Sequence, residues 1–599
     1  MKRMSHTPTS RLASKASCNT GTGVSGSSDD SSAASDSFHL RWVYTPADKV
    51  AAAANPATNP LRENFILRSL YQLFLRERMP GTRIYACPTL RSPLTRPARS
   101  CAPSTLNPPL ACSSSQRNRP GIRPANTINS GSPMSTRRTV RKWLLLSILS
   151  LIAVAAVASL VWWLFIRQSL PYSRDVMRKA NDLQERILSF DAHIDLPLEY
   201  GSGGMEADRD GRTQFDLVKA ARGRLSGAAL TIWAWPEFWI GPNAPHRPTP
   251  GFVEAARHEQ EARYRIITGI ARDYPERAGI AYSPADFRRL AHEGKFAIVI
   301  SMLNAYPLGD EVSRLDDWAA RGMRIFGFNY VANNTWSDSS RPMPFYGDSP
   351  DEHGGLSELG RQAVRRLNDL GVVIDVSQMS SSALEQVTDL SRAPIIASHS
   401  GIRGLVDIQR NLTDRELRLI QKTGGVVHIA GFSSYLRPFS KETLAKVNAM
   451  RTGFGLLDVE NLSQASMPAD PVFSIWPEKR FGEYASQLYA ILETDPRAGL
   501  KEFGDAIDYA VKKIGIDHVG ISSDFNDGGG VIGWENVGDA RNVTAELIQR
   551  GYSDEDIAKL WGGNFLRVWE QVQNASRQSH DDITTSPSQE TPTQRSTTQ

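Results

Sequence analysis

The chain has 599 residues, 40% apolar and 22% charged, an ordinary balance for a folded protein of one large domain or several smaller ones. Its net charge of +5 joins two unlike parts: before about residue 143, Lys and Arg outnumber Asp and Glu by 21 to 6, and the remainder is acidic. The folded part therefore shows no basic signature of nucleic-acid binding. With Cys18, Cys87, Cys101 and Cys112 all in the front end, that part also has no disulfide framework, thiolate metal site or cysteine nucleophile.

Residues 1–133 are rich in Ser, Pro, Thr, Ala and Arg without a sustained apolar period, and read as disordered. An alternative is that they are not translated, because Met134 opens a stretch suited to the start of an exported protein. Residues 143–166 carry no charge and are long enough to span a bilayer as a helix. Arg137, Arg138, Arg141 and Lys142 precede them, which puts the front end in the cytoplasm. The expectation is an anchor in the inner membrane and a body outside the cytoplasm, periplasmic if the source is Gram-negative. A cleaved signal peptide is the other reading.

From about residue 175 to 575, short apolar runs alternate with amphipathic stretches. Eight runs stand out: RILSFDAHID, GAALTIWAW, FAIVISMLN, MRIFGFNYV, GVVIDVSQM, PIIASHS, GGVVHIAGF and HVGISSDF. Short continuous apolar runs are the pattern of buried parallel strands. Eight of them alternating with helices predict an α/β fold, a (β/α)8 barrel of the TIM type, with a doubly wound sheet as the fallback. Residues 433–510 form a long insertion before the last strand. Residues 576–599, rich in Ser, Thr, Gln and Pro, read as a disordered tail.

In such a barrel, functional residues sit at the C-terminal ends of strands. Those ends carry His193 and Asp195, then Asn304, Tyr330, Gln378, His399 and Asp524. His193 and Asp195, two apart in a strand, share one face. Imidazole and carboxylate are natural ligands for zinc. His428 lies inside an apolar run and reads as a core histidine, and His518 as structural. The aromatic cluster WAWPEFWIGP reads as packing or a dimer contact. No phosphate loop and no Ser-His-Asp order stand out.

The motifs DAHIDLP, QFDLVKAARGRLSGAAL, HGGLSELGRQAVRRLNDLGVVIDVSQMS, APIIASHS, QRNLTD, HVGISSDFNDG and IAKLWGGNFLRVWEQV, in this order, resemble the membrane (renal-type) dipeptidases, peptidase family M19 of the amidohydrolase superfamily. The resemblance implies a membrane-anchored metallodipeptidase that cleaves dipeptides through a metal-activated water, and a homodimer. It implies His193 and Asp195 on a first zinc, His399 on a second, Asp524 beside both as the proton handler, and Arg410 on the dipeptide carboxylate. Asn333, Trp336 and Asp338 would shape the pocket rim.

Three positions depart from that family's pattern. Asn304 stands at the bridging glutamate, Gln378 at the first histidine of the second metal, and Tyr330 at the histidine that stabilises the tetrahedral intermediate. An amide is a poor ligand beside carboxylate or imidazole. The expectation is one zinc rather than two, held by His193, Asp195 and Asp524 with His399 nearby, and Tyr330 donating to the oxyanion. The alternatives are a catalytically inactive homologue that binds a peptide or amino-acid ligand, or a two-metal centre in which His353 or His428 substitutes.

Overall fold

The computed structural model describes residues 146–159, 172–234, 250–344, 347–462 and 470–585. Residues 146–159 are helical, and most of the cluster WAWPEFWIGP lies outside the described residues. Among the described residues, no helix is long and apolar enough to cross a membrane. The flanks of the 143–166 segment lie outside them.

Nine parallel strands form one sheet: β1 (Phe190–Asp195), β2 (Gly227–Trp233), β3 (Ala278–Ile280), β4 (Phe296–Leu303), β5 (Met323–Gly327), β6 (Val373–Asp375), β7 (Ile396–Ser400), β8 (Val426–Ala430) and β9 (Val519–Ser522). Their order is β1-β2-β4-β5-β6-β7-β8-β9, with β3 paired only to β4. The eight apolar runs of the sequence are the eight strands of that path. β3 is too short to register as a period.

The sheet closes on itself beyond β9. The amide of Asp524 donates to the His193 carbonyl (3.2 Å), and the amide of Asp195 donates to the Phe525 carbonyl (3.0 Å). The architecture is a TIM-type barrel, as the alternation of runs and helices predicts.

The helices between strands form where caps and periods agree. Ser357 starts Glu358–Leu370 by accepting from Gly360 N, and Gly371, at φ +66°, ends it in the left-handed conformation that glycine tolerates. Thr413 and Glu416 form a reciprocal capping box on Asp414–Lys422.

Side chains alternate across each strand, and that alternation sorts the barrel interior by height. At its N-terminal end Phe190, Ala229, Val299, Ile325, Val373 and Ile396 pack together with Phe565, Val568 and Trp569 of the last helix, Asn564–Thr585. That helix is a hydrophobic floor. Further along the same strands come Thr231, Asp375, Ser398 and His428, all buried.

The insertion beyond residue 432 holds the helices Ser433–Leu436, Lys441–Gly453 and Glu478–Leu492. Val447, Phe473, Trp476 and Tyr484 give it a small core, which also takes in Ala332 and Met343 from the segment after β5.

Candidate metal centre

At the C-terminal rim of the barrel, His193, His399 and Asp524 offer ligand atoms that all lie within 4.8 Å of one another, and all three are buried. The two imidazoles stack with centroids 3.9 Å apart. Two register shifts put them there. One lies between Asp191 and Ile194 on β1, the other between Ala397 and Ser400 on β7. Such irregularities re-aim side chains that regular alternation would send elsewhere.

Asp195 joins through His193: its Oδ2 is 3.2 Å from the His193 Nε2. The other oxygen, Oδ1, is buried and finds no hydrogen-bond partner among the described residues. Thr231 Oγ1 lies 3.3 Å from the His193 Nδ1 and steadies the ring from behind. An unpartnered buried carboxylate oxygen beside two imidazoles and a second carboxylate fits a metal ion.

Three rim residues hold positive φ without being glycine: Asn304 (+83°), Gln378 (+70°) and Asp524 (+59°). Backbone of this kind persists where the surroundings over-determine it, and it clusters at functional sites. After Asp524 the chain turns so tightly that the Gly529 amide donates to the Asp524 carbonyl (2.9 Å). A Cβ at Gly529 would lie 2.1 Å from that oxygen.

The substituted positions are wired into the scaffold. Asn304 donates to the Ala234 carbonyl (3.2 Å) and accepts from Tyr306 N (3.1 Å) and Asn334 Nδ2 (3.2 Å). Its amide ties three loops together. Gln378 accepts from Arg341 and places its amide nitrogen 3.0 Å from the His399 Nε2. Tyr330 donates its hydroxyl to Asp527 Oδ2 (2.7 Å). Arg410 is buried, donating to Ser400 Oγ (3.2 Å) and the His399 carbonyl (2.5 Å).

The histidines offered as substitutes are engaged away from the cluster. His353 Nε2 lies 2.9 Å from the Asn334 carbonyl. His428 contacts the Ala397 carbonyl through Nδ1 (3.1 Å) and packs against Phe565 of the floor helix, a core histidine whose burial pushes its pKa down to about 4. His518 meets the Gly425 carbonyl through Nδ1 (2.7 Å). At the rim, Trp336 donates to the Gly309 carbonyl (2.6 Å). Asn333 holds Ser339 N (2.8 Å), and Asp338 holds Gly355 N (2.8 Å).

Sequence reasoning misses Arg341, Asp375, Ser398 and Asp527. Asp375, Ser398 and Asp527 lie inside the quoted motifs GVVIDVSQMS, APIIASHS and HVGISSDFNDG, which assign them no task; Arg341 lies outside the quoted motifs.

Burial dominates the electrostatics. It raises Asp191 to about 7 and Asp524 to about 6, and raises Asp527 to about 8 with help from the charges of Asp195 and Asp524. Burial alone would lower His193, but Asp195, helped by Asp524 and Asp375, more than reverses this and lifts it to about 9. His399 is held well below its ordinary value, first by burial and then by the charges of His193, Arg410 and Arg341.

These directions fix a pH dependence. A raised folded-state pKa means that the metal-free folded protein binds protons more tightly than the unfolded chain, so its stability falls as pH rises through those values. Asp527 contributes with this sign up to about pH 8, and His193 from its ordinary 6.5 up to about 9. The melting temperature in chelator is expected to fall across that range, and to fall less in Asp527→Asn, which cannot ionise. Equal slopes for the two proteins in scanning fluorimetry would contradict the assignment of Asp527.

Residues 177–582 match the family model of Membrane dipeptidase (Peptidase family M19). The crystal structure of the probable dipeptidase PvdM from Pseudomonas aeruginosa is 68% identical, covering 67% of this chain and 100% of that one, with a TM-score of 0.65. Dipeptidase tcpJ of Claviceps purpurea is 26% identical over 364 residues, 60% of this chain and 70% of that protein. Dipeptidase aclJ of Aspergillus oryzae is 25% identical over 373 residues, 62% of this chain and 72% of that protein.

Proposed function

This chain belongs to the membrane dipeptidase family, peptidase family M19, and from that premise we propose that it hydrolyses dipeptides at a site built for one metal ion rather than two. The observation that carries this reading is the rim cluster: one unpartnered carboxylate oxygen on Asp195 beside His193 and Asp524, while Asn304 and Gln378 are committed to protein partners. A zinc ion held by His193, Asp195 and Asp524 would supply an acidified water and a Lewis acid for the amide carbonyl.

The chain's own residues do the rest. Thr231 beside the Nδ1 of His193 leaves the Nε2 to face the ligand position. Asp524 accepts the proton of the attacking water at its carboxylate and returns it to the leaving amine. Tyr330 serves the oxyanion: its hydroxyl donates to Asp527 in the free site and would turn from that carboxylate to the substrate oxygen.

Arg410 holds the dipeptide carboxylate. Its Nε is buried without a hydrogen-bond partner among the described residues, a donor in reserve for an anion. In Arg410→Met the KM for a dipeptide is expected to rise roughly 10- to 150-fold, the worth of about 1.5–3 kcal/mol for hydrogen bonds to a charged group. A carboxyl-amidated dipeptide should bind both proteins equally poorly. An unchanged KM for the free acid would remove Arg410 from this role.

The uncharged 143–166 segment and the basic residues before it support an inner-membrane anchor with the barrel outside the cytoplasm. The testing experiment is elemental analysis of the purified protein after mild zinc exposure, alongside a panel of dipeptides. About one zinc per chain with turnover is expected. About two would restore a two-metal mechanism. No metal and no turnover would make the protein a ligand-binding homologue.

A further inference from the structure

Around His399 the donors and acceptors can be assigned one at a time. A guanidinium only donates, so the Gln378 oxygen is the atom that faces Arg341. The Gln378 amide nitrogen therefore faces the His399 Nε2, 3.0 Å away, and that nitrogen can only donate. His399 Nε2 is thus the acceptor, and the ring proton of the neutral imidazole sits on Nδ1. It points at Ser398 Oγ (2.7 Å), which donates to Asp375 Oδ2 (2.5 Å). The sequence Arg341, Gln378, His399, Ser398, Asp375 runs from a fixed cation to a carboxylate, each link a donor facing an acceptor, while the Arg341 Nε is buried without a hydrogen-bond partner among the described residues.

The backbone builds this arrangement deliberately. The amide of Ser340 donates to the Gln378 carbonyl (2.9 Å), and Ser339 forms an antiparallel bridge with Met379. Arg341 itself is fixed at both ends: its amide donates to Ser339 Oγ (3.1 Å), and its carbonyl accepts from Ala332 N (3.0 Å). Ala332 and Met343, on either side, are packed into the core of the insertion. The loop that delivers Arg341 is thus braced from two directions.

We propose that Arg341 and Gln378 together fill the position of a second metal ion: the guanidinium is a permanent cation in its place, and the Gln378 amide occupies the His399 lone pair that an ion would need. This rests on the single-metal reading above and assigns what excludes the second ion. Loss of a ligand would leave a vacant, weakly binding site. Here the site is occupied by a charge that the chain carries itself, held on the Gln378 oxygen behind the amide that faces His399. Arg341 is a positioning residue for His399 through Gln378, and its charge also acts on Asp524.

The test counts zinc by elemental analysis in the wild type, in Gln378→His/Arg341→Ala and in Gln378→Leu/Arg341→Ala. Histidine is among the residues that tolerate the positive φ at 378. The histidine variant is expected to bind about one zinc more than the wild type, because the new imidazole, His399 and Asp524 complete a ligand set. The leucine variant should gain none. No gain in the histidine variant, or an equal gain in both, overturns the proposal. The gain reads this inference, while the wild-type count and turnover read the proposed function. A wild type with no zinc and a variant with about one would sink only the latter.

A second measurement needs no variant. In 15N-histidine spectra of the zinc-loaded wild type, the Nε2 of His399 should keep the signature of an unprotonated, hydrogen-bonded nitrogen. A shift to the metal-coordinated range would overturn the proposal even if the variants fail to fold.

Discussion

His193→Ala is expected to lose bound zinc to background and to lower dipeptide turnover on the order of 10³-fold or more, with the barrel still folded. The size follows from position. His193 is the residue on which the cluster converges: it contacts Asp195, stacks on His399 and lies in ligand range of Asp524. Removing it deletes a ligand and also unpairs the Asp195 carboxylate, which is buried. The fold should survive, because the barrel strands are held by the apolar layer around Phe565 at their other end. Metal content and turnover unchanged from the wild type would show that the cluster is not the active centre. Loss of turnover with zinc retained would move the metal to other ligands.

Phe565→Ala is expected to cost about 3–5 kcal/mol of stability, the range for emptying a well-packed aromatic site. Phe565 lies flat on Phe190 at the start of β1, with centroids 3.9 Å apart and planes 7° from parallel. It also touches Trp569 one turn on in the floor helix and meets His428 edge-on. The check is the urea midpoint at constant slope. Turnover per folded molecule should be unchanged, because the floor and the metal rim are opposite ends of the same strands. A cost below about 1 kcal/mol would mean that the floor helix is not holding the barrel closed.

The two substitutions test opposite ends of one design. The strands are apolar where they enter the barrel and polar where they leave it. Val373 is followed inward by Asp375, Ile396 by Ser398, and Ala229 by Thr231. Stability is concentrated in the first layer and chemistry in the last. The middle layer, Asp375 with Ser398, connects them by orienting His399 from below.

Much of this was legible in the chain. Eight short apolar runs separated by amphipathic stretches gave the eight barrel strands in order, because a parallel strand buried on both faces must be apolar along its length. The barrel rule then pointed to the strand ends, and the ordered motifs pointed to the family. The three-residue β3 stayed invisible, since three residues carry no period. His353 and His428 looked like possible ligands because a sequence gives residue type but not what each nitrogen touches. Both are satisfied by backbone carbonyls elsewhere.

The sequence by itself thus pointed to the fold class and to the strand ends, and it marked three positions, Asn304, Gln378 and Tyr330, that depart from the family's pattern. Only the tertiary structure decided what those residues touch. Two register shifts turn His193 and His399 toward each other, against the alternation that a regular strand would impose. A bridge between Ser339 and Met379 brings Arg341, 37 residues away along the chain, onto the Gln378 amide. Periodicity reports which face a residue occupies. It is silent on breaks in register and on contacts between loops, because those are set by how distant segments pack.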